Sequence, residues 1–236
     1  KFFEKADKFA LYPTVDGTYF TFEELKEKIK ALQTDKDDKL VVLYASDKEA
    51  QHSYIDAARA KGFEVLLLDS PIISHLMQKL ETSNEKLSFA RVDADHLDNL
   101  IKKEDTQISK LSDEEKEKLK ANIESVTADK GYTIQLEAMD SNASPFIITE
   151  PEFMRRMKEM QQTGGGGMFG MGNMPEMYNL IVNINHPLVT EILGTKTAKK
   201  RDRLINQSLD LARLSKGLLK GEELTRFISR SYEMIK

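Results

Sequence analysis

The sequence has no cysteine, and this absence excludes disulfide bonds, thiolate catalysis and cysteine-based metal sites. It also has no apolar run near the roughly 20 residues that a transmembrane helix needs, and no signal peptide. The basic excess of a nucleic-acid-binding protein is missing too, because 35 basic and 39 acidic side chains give a net charge of −4. With 40% apolar and 31% charged residues, the composition predicts a folded cytoplasmic protein that binds neither membranes nor nucleic acids.

Sequence motifs for catalysis, cofactors or metals are also missing. The glycine run 164–167 follows a predicted helix and precedes no Gly-Lys-Ser/Thr, whereas a phosphate-binding loop joins a strand to a helix N-terminus. We interpret it as a flexible linker. The four histidines are widely spaced, and the acidic residues around His96 favour the first turn of a helix over a metal site. We therefore expect no catalytic residues, no metal and no cofactor in this chain.

The first part of the chain alternates helix and strand signals. Short apolar runs at 40–44, 63–68 and 87–92 predict buried strands. Thr21 with Glu24, and Ser46 with Glu49, predict capping boxes at the start of the helices. Ser70 and Pro71 predict a further helix start. Because strands joined by helices of this length favour right-handed parallel crossovers, we predict a small α/β (βαβ) unit over residues 1–108.

Residues 109–236 are predicted to form a second domain, after a charged hinge near 102–118. Its signals are two capping boxes, Ser112 with Glu115 and Thr149 with Glu152, the second opening a helix to Gln162. Strand patterns at 132–138, 146–148 and 177–184 predict a short antiparallel sheet. Helices are predicted at 187–193, 198–216 and 222–235, and the fold class of the whole chain is α+β.

Seven of the ten methionines fall between residues 154 and 177. Met154, Met157 and Met160 recur at helical spacing on one side of the predicted helix, and charged residues take the other side. Since methionine adapts to partners of different shape, we predict a surface that binds exposed apolar segments of other proteins. The alternative is that this triplet packs on a neighbouring sheet. The candidate binding residues are Phe153, Met154, Met157, Met160, Met168, Phe169 and Met171.

The last two helices carry apolar stripes wider than one sheet contact needs. Such a helix pair commonly completes a four-helix bundle with a second copy around a two-fold axis. The alternative, packing within one chain, accounts for part of the stripes. The candidate dimer-interface residues are Leu204, Leu211, Leu214, Leu224, Phe227, Ile228, Tyr232 and Ile235.

In their order and spacing, three stretches resemble the ninety-kilodalton heat-shock chaperones, specifically the bacterial HtpG type. Residues 39–45 (KLVVLYA) and 58–72 (ARAKGFEVLLLDSPI) resemble the end of that family's middle domain. Residues 144–150 (SPFIITE) and the methionine helix resemble the opening of its C-terminal domain, and 178–189 (YNLIVNINHPLV) resembles its dimerisation end. The start at Lys1 is expected for a fragment of such a protein.

The resemblance implies a homodimeric, ATP-dependent, cytoplasmic chaperone of the stress response that binds unfolded or partly folded client proteins. In the family, ATP and Mg are held by an N-terminal domain with help from an earlier part of the middle domain, so this fragment is expected to be no enzyme. It implies client contacts at Met154, Met157 and Met160. Co-chaperones that read an acidic Met-Glu-Glu-Val-Asp tail are not expected to bind, because the sequence given ends at Lys236 without one.

Two other functions stay open from the residues. An enzyme or small-molecule binder would use a crevice at the strand ends, where Ser46, Asp47, Asp69 and Ser70 lie. A purely structural dimeric scaffold would differ from the chaperone only in whether the methionine segment is exposed.

Overall fold

The structure is a computed structural model that describes residues 9–70, 73–103, 107–128, 131–163 and 177–235, without the side chains of 158–163. It divides into two compact units, of which the first contains Lys1–Glu104 and Glu150–Glu176. The second contains Asp105–Thr149 and Met177–Lys236. The chain therefore leaves the first unit, returns to it for one segment, and ends in the second. The predicted domain boundary after residue 108 stays a prediction.

Both units combine helices with small sheets, which confirms the α+β class. The elements of the first hundred residues are β1 (Leu11–Pro13), β2 (Tyr19–Thr21), α1 (Phe22–Gln33), β3 (Leu40–Ala45), α2 (His52–Ala60), β4 (Val65–Leu67), α3 (Ile73–Ser83), β5 (Leu87–Arg91) and α4 (Leu97–Leu100). They are followed by α5 (Asp113–Thr127), β6 (Tyr132–Glu137), β7 (Phe146–Thr149), α6 (Glu152–Thr163), β8 (Tyr178–Asn183), α7 (Pro187–Gly194), α8 (Ala198–Ser215) and α9 (Gly221–Ile235).

The first unit is built on a three-stranded parallel sheet with the order β4-β3-β5, as the crossover pattern predicts. The central strand is apolar along its whole length because both of its faces are covered. Val42 and Tyr44 belong to the core cluster on one side, and Val41, Leu43 and Ala45 to the cluster on the other. The short antiparallel hairpin of β1 and β2 has no counterpart in the sequence prediction.

Of the two capping boxes predicted in this unit, one is confirmed and one is wrong. Thr21 and Glu24 form the predicted capping box at the start of α1. The box predicted for Ser46 and Glu49 is wrong, since α2 begins only at His52. The side chain of Gln51 accepts the backbone N–H of Ser46 at 2.8 Å and so holds the turn that precedes the helix. Pro71, the predicted helix start, lies outside the described residues.

The second unit holds a mixed sheet with the order β6-β8-β7. β7 pairs with β8 antiparallel, but β6 pairs with β8 parallel, so the prediction of an antiparallel sheet is wrong for β6. The long stretch of chain between β6 and β8 gives room for the crossover that a parallel pair needs. Thr149 is fully buried in β7, and its hydroxyl has no hydrogen-bond partner among the described residues, so the predicted cap by Thr149 is wrong as well.

Helices α5, α7 and α8 cover this sheet, and the capping box of Ser112 and Glu115 opens α5 as predicted. Asn183 at the end of β8 is fully buried and organises the loop after β6. Its side chain accepts the backbone N–H of Met139 at 3.3 Å and donates to the carbonyl of Asp140 at 2.8 Å. Every buried polar atom of this amide therefore has a partner, as a core asparagine requires.

Candidate functional site

Helix α6, which carries the predicted binding residues, belongs to the first unit and is attached there at its N-terminus. The backbone N–H of Glu150 donates to the carbonyl of Asp93 at 3.1 Å. The guanidinium of Arg91, at the end of β5, donates to the carboxylate of Glu150 at 2.8 Å and also pairs with Asp93. These contacts join the start of the helix to the carboxyl end of the central sheet.

Arg156 fixes the helix to a second part of the same unit. Its guanidinium donates to both carboxylate oxygens of Glu81 on α3, at 2.7 and 3.2 Å. It also donates to the carbonyl of Phe89 in β5 at 2.8 Å and to the carboxylate of Glu152 at 2.7 Å. A guanidinium held by two oxygens of one carboxylate and by a carbonyl has a fixed orientation as well as a fixed position.

Arg155 lies deeper and is only 3% exposed. It donates to the hydroxyl of Tyr44, in the central strand, and to the carboxylate of Glu152. Its guanidinium carbon also lies 5.6 Å from the centroid of the Tyr44 ring. The Tyr44 hydroxyl in turn donates to the carboxylate of Glu152 at 3.0 Å. The hydroxyl, the guanidinium and the carboxylate thus form hydrogen bonds with one another.

The ionisation of this cluster follows from its charges. Burial raises the pKa of Glu152, but the guanidiniums of Arg155 and Arg156 outweigh burial and hold that pKa below its ordinary value. Burial, reinforced by the negative charge of Glu152, raises the pKa of the Tyr44 hydroxyl. Glu152 is therefore a carboxylate and Tyr44 a neutral donor at neutral pH. We call Tyr44, Glu81, Glu152, Arg155 and Arg156 the anchor network.

The anchor network places the charged side of α6 against the first unit. This reverses the usual arrangement, in which an amphipathic helix turns its apolar side to the core. Phe153, Met154 and Met157 lie on the other side of the helix, because residues three and four apart share a face. Phe153 is 72% exposed, while Met154 and Met157 are half-buried.

The remaining predicted binding residues cannot be placed beside these three. The backbone of Met160 is part of α6, but its side chain is among those not described. Met168, Phe169 and Met171 lie outside the described residues.

The predicted dimer-interface residues on α8 and α9 differ in how much of their surface is exposed. Phe227 is 8% exposed, and Leu204 packs against the core cluster of the second unit, so both have partners within the chain. Leu224 is half-buried. The other five are exposed by between 44% and 82% of their surface: Leu211, Leu214, Ile228, Tyr232 and Ile235.

A polar cluster fixes the two closing helices to each other. Asp210 of α8 pairs with Arg230 of α9 at 2.7 Å and with Arg213 at 3.3 Å. Arg213 also pairs with Glu223, and Arg230 donates to Gln207 at 2.8 Å. Because Asp210 and Arg213 are both below 10% exposed, their geometry sets how the helices pack, and the apolar side chains next to them are held in place.

Among the polar groups that an enzyme or small-molecule binder would use, Asp47 has a structural role. The carboxylate of Asp47 accepts the backbone N–H of Glu49 at 3.0 Å and that of Ala50 at 2.9 Å, which closes the turn before α2. Asp69 and Ser70 are exposed. The contacts of Asp47 are those of a turn residue and need no bound ligand.

Two of the acidic residues near His96 form ion pairs with basic side chains. Asp93 is paired with Arg91, and Asp98 with Lys61. Within the described residues, no group of three or more His, Cys, Asp or Glu side chains is placed to hold a metal ion. Across the same part of the chain, no helix combines the length and apolarity needed to cross a membrane.

Sequence reasoning did not find the anchor network. The sequence predicts only that charged residues take the side of the helix opposite the methionines, and that residues 40–44 form a buried strand. The spacing of Glu152 to these arginines, three and four residues on, was a visible signal for local ion pairs. The distant partners Tyr44 and Glu81 had no such signal.

The family model described as "Hsp90 protein" matches residues 14–236. The chaperone protein htpG of Bacteroides fragilis (strain YCH46) is 35% identical over 301 aligned positions, which cover 99% of this chain and 44% of that protein. The chaperone protein HtpG of Bacteroides thetaiotaomicron has the same identity and coverage. The HtpG of Porphyromonas gingivalis (strain ATCC 33277) is 33% identical over 302 positions, covering all of this chain and 44% of the relative.

The chain thus spans less than half the length of these relatives. The match to the family model nevertheless runs over both units and includes the whole of the anchor network and of the two closing helices. The chain therefore belongs to the Hsp90 protein family.

Proposed function

We propose that this chain is the C-terminal half of an ATP-dependent molecular chaperone of the cytoplasm, and that it binds unfolded or partly folded proteins through the apolar side of α6. The observation that carries the proposal is the reversed orientation of this helix. Its charged side is used for attachment, and Phe153 is left 72% exposed beside two methionines. A large exposed aromatic side chain on an anchored helix is typical of a binding surface.

Client binding is tested with a permanently unfolded probe, reduced and carboxymethylated α-lactalbumin carrying a fluorescent label. The double variant Phe153→Ser/Met157→Ser is expected to bind it about tenfold more weakly than the unmodified chain. The matched control is Tyr19→Ser, which removes an aromatic side chain that is 63% exposed in the same unit. Equal affinities for the double variant and the control would refute the proposal.

We also propose that the chain forms a homodimer through α8 and α9. The support is the set of exposed apolar side chains on a helix pair that buried ion pairs hold together. Light scattering measures the solution mass over a range of concentrations. The variant Leu211→Ser/Ile228→Ser is expected to be a folded monomer, because both side chains are largely exposed within the chain. The control Leu32→Ser, at 48% exposure in the first unit, is expected to stay dimeric.

If the unmodified chain stayed monomeric at high concentration, the proposed dimer would be refuted. The proposal of client binding would then rest on α6 alone. ATP hydrolysis is not assigned to any residue of this chain.

A further inference from the structure

We infer that Arg155 and Arg156 are positioning residues for client binding: they fix the rotation of α6 about its own axis and so determine which side chains a client meets. This inference rests on the function proposed for α6. Neither arginine is assigned a contact with the client. Their effect is exerted through Phe153, Met154 and Met157 on the other side of the helix.

Two separate attachments are needed to fix a rotation. A helix held at one point can roll about its axis. Because consecutive residues of a helix point about 100° apart, attachments at two consecutive residues oppose such a roll. Arg155 is bound to Tyr44 in the central strand, and Arg156 is bound to Glu81 and the Phe89 carbonyl. The two attachments thus lie in different directions from the helix axis, and together they leave one rotation.

The chemistry of each attachment resists rolling. Arg155 is 3% exposed, so a roll of α6 would take its buried guanidinium away from the Tyr44 hydroxyl, which is fixed in the central strand. A buried polar group that loses its hydrogen-bond partner is destabilising, so the roll is opposed. Arg156 presents two N–H groups to the two oxygens of Glu81, a geometry that tolerates little rotation.

Losing the attachments made by Arg155 and Arg156 is expected to change the rotation of α6 and little else. A roll of about 100° would move Phe153 into the direction that Glu152 now occupies, towards the sheet. The exposed aromatic surface would shrink, and charged side chains would take its place. A client would then meet a polar helix in an otherwise intact unit.

The test measures two quantities in the full chain: affinity for labelled, reduced and carboxymethylated α-lactalbumin, and hydrogen exchange of the amides of residues 152–157 and of β3. Arg156→Gln is expected to weaken binding about tenfold and to speed exchange in 152–157 while exchange in β3 is unchanged. Arg156→Lys keeps the charge but loses the two-oxygen geometry, and an intermediate affinity is expected. Arg59→Gln is the matched control, an arginine paired with Asp56 on α2, and is expected to bind like the unmodified chain.

A double-mutant cycle separates positioning from direct contact. In the Phe153→Ser/Met157→Ser background, Arg156→Gln is expected to cause no further loss of affinity, because its effect passes through those side chains. A further tenfold loss there would show that Arg156 itself contacts the client and would overturn the inference.

The other outcomes are distinct. If Phe153→Ser/Met157→Ser bound the probe normally, the proposed function would fail. If that variant bound weakly but Arg156→Gln bound normally, only the positioning role would be refuted. Faster exchange throughout β3 in Arg156→Gln would make Arg156 a general stabilising residue, which also contradicts the inference.

Discussion

Among single residues, Asn183 illustrates how one buried amide determines the path of a loop. It accepts the backbone N–H groups of Met139 and Asn185 and donates to the carbonyl of Asp140. An aliphatic residue of similar size would leave these backbone groups buried and unbonded. The amide thus stabilises an irregular segment that has no ladder of backbone hydrogen bonds.

Replacing this amide is expected to be costly. We expect Asn183→Ala to lower the free energy of unfolding by about 3 kcal/mol, since several buried groups lose their partner at once. Urea unfolding followed by circular dichroism measures it. The control Asn142→Ala changes an exposed side chain in the same loop and is expected to cost less than about 0.5 kcal/mol. Equal costs for the two variants would contradict the role of Asn183.

Glu152 gives the anchor network a pH dependence of definite sign. Its pKa in the folded chain lies below the ordinary value of 4.5, because Arg155 and Arg156 favour the carboxylate. The unfolded chain therefore binds the proton more readily, and stability from this group is present above about pH 4.5 and lost as the pH falls through the lower folded pKa.

The measurement compares the unmodified chain with Glu152→Gln, whose amide does not titrate in this range. The difference in their free energies of unfolding is expected to be largest near neutral pH and to shrink below about pH 4.5. Urea unfolding at a series of pH values tests this. A difference that stayed constant, or grew with acidity, would show that the charge of Glu152 does not stabilise the fold.

At the scale of elements, capping explains where several helices begin. In α5 the hydroxyl of Ser112 accepts the backbone N–H of Glu115, and the carboxylate of Glu115 accepts that of Ser112. Two N–H groups that the helix itself leaves unbonded are thereby satisfied.

We expect Ser112→Ala to lower the free energy of unfolding by about 1 kcal/mol. Ser125→Ala is the control on the exposed side of the same helix, where alanine is the better helix former and the change is expected to be neutral or slightly stabilising. Both are measured by urea unfolding. A neutral Ser112→Ala would mean that the cap adds nothing beyond its water-bonded alternative.

Local sequence patterns predicted where helices and strands form better than they predicted which of these elements lie next to each other. The buried strand at 40–45, the closing helices and the boxes at Thr21 and Ser112 follow from residues close in sequence. The box predicted at Ser46 was wrong because Gln51, five residues on, holds the backbone instead. Within these limits, the sequence order of helices and strands was sufficient for the α+β class.

Long-range pairing could not be obtained in this way. The parallel pairing of β6 with β8 depends on a crossover through the first unit, which no local pattern encodes. The orientation of α6 depends on Tyr44 and Glu81, which precede Glu152 by many tens of residues. The sequence therefore leaves open the choice between a binding surface and a core-packed methionine triplet, and client binding by α6 stays a proposal.

At the scale of the whole molecule, the proposed dimer links stability to concentration. If α8 and α9 associate with a second copy, the folded dimer is favoured by mass action and its melting temperature rises with protein concentration. We expect this rise in differential scanning calorimetry for the unmodified chain and its absence for Leu211→Ser/Ile228→Ser. A melting temperature independent of concentration in both proteins would contradict a dimer coupled to folding.

The return of the chain to the first unit has a consequence for its synthesis on the ribosome. Tyr44, Glu81 and Arg91 are made long before Glu152, Arg155 and Arg156, and Asp105–Thr149, which lie between them in sequence, belong to the second unit. At about 5–20 residues per second, the nascent first unit stands without its anchoring helix for roughly 2–10 seconds. During that time Glu81 lacks its partner Arg156, and Tyr44 lacks its partner Arg155. The order of translation therefore leaves the first unit of this Hsp90-family chain incompletely packed until α6 has been made.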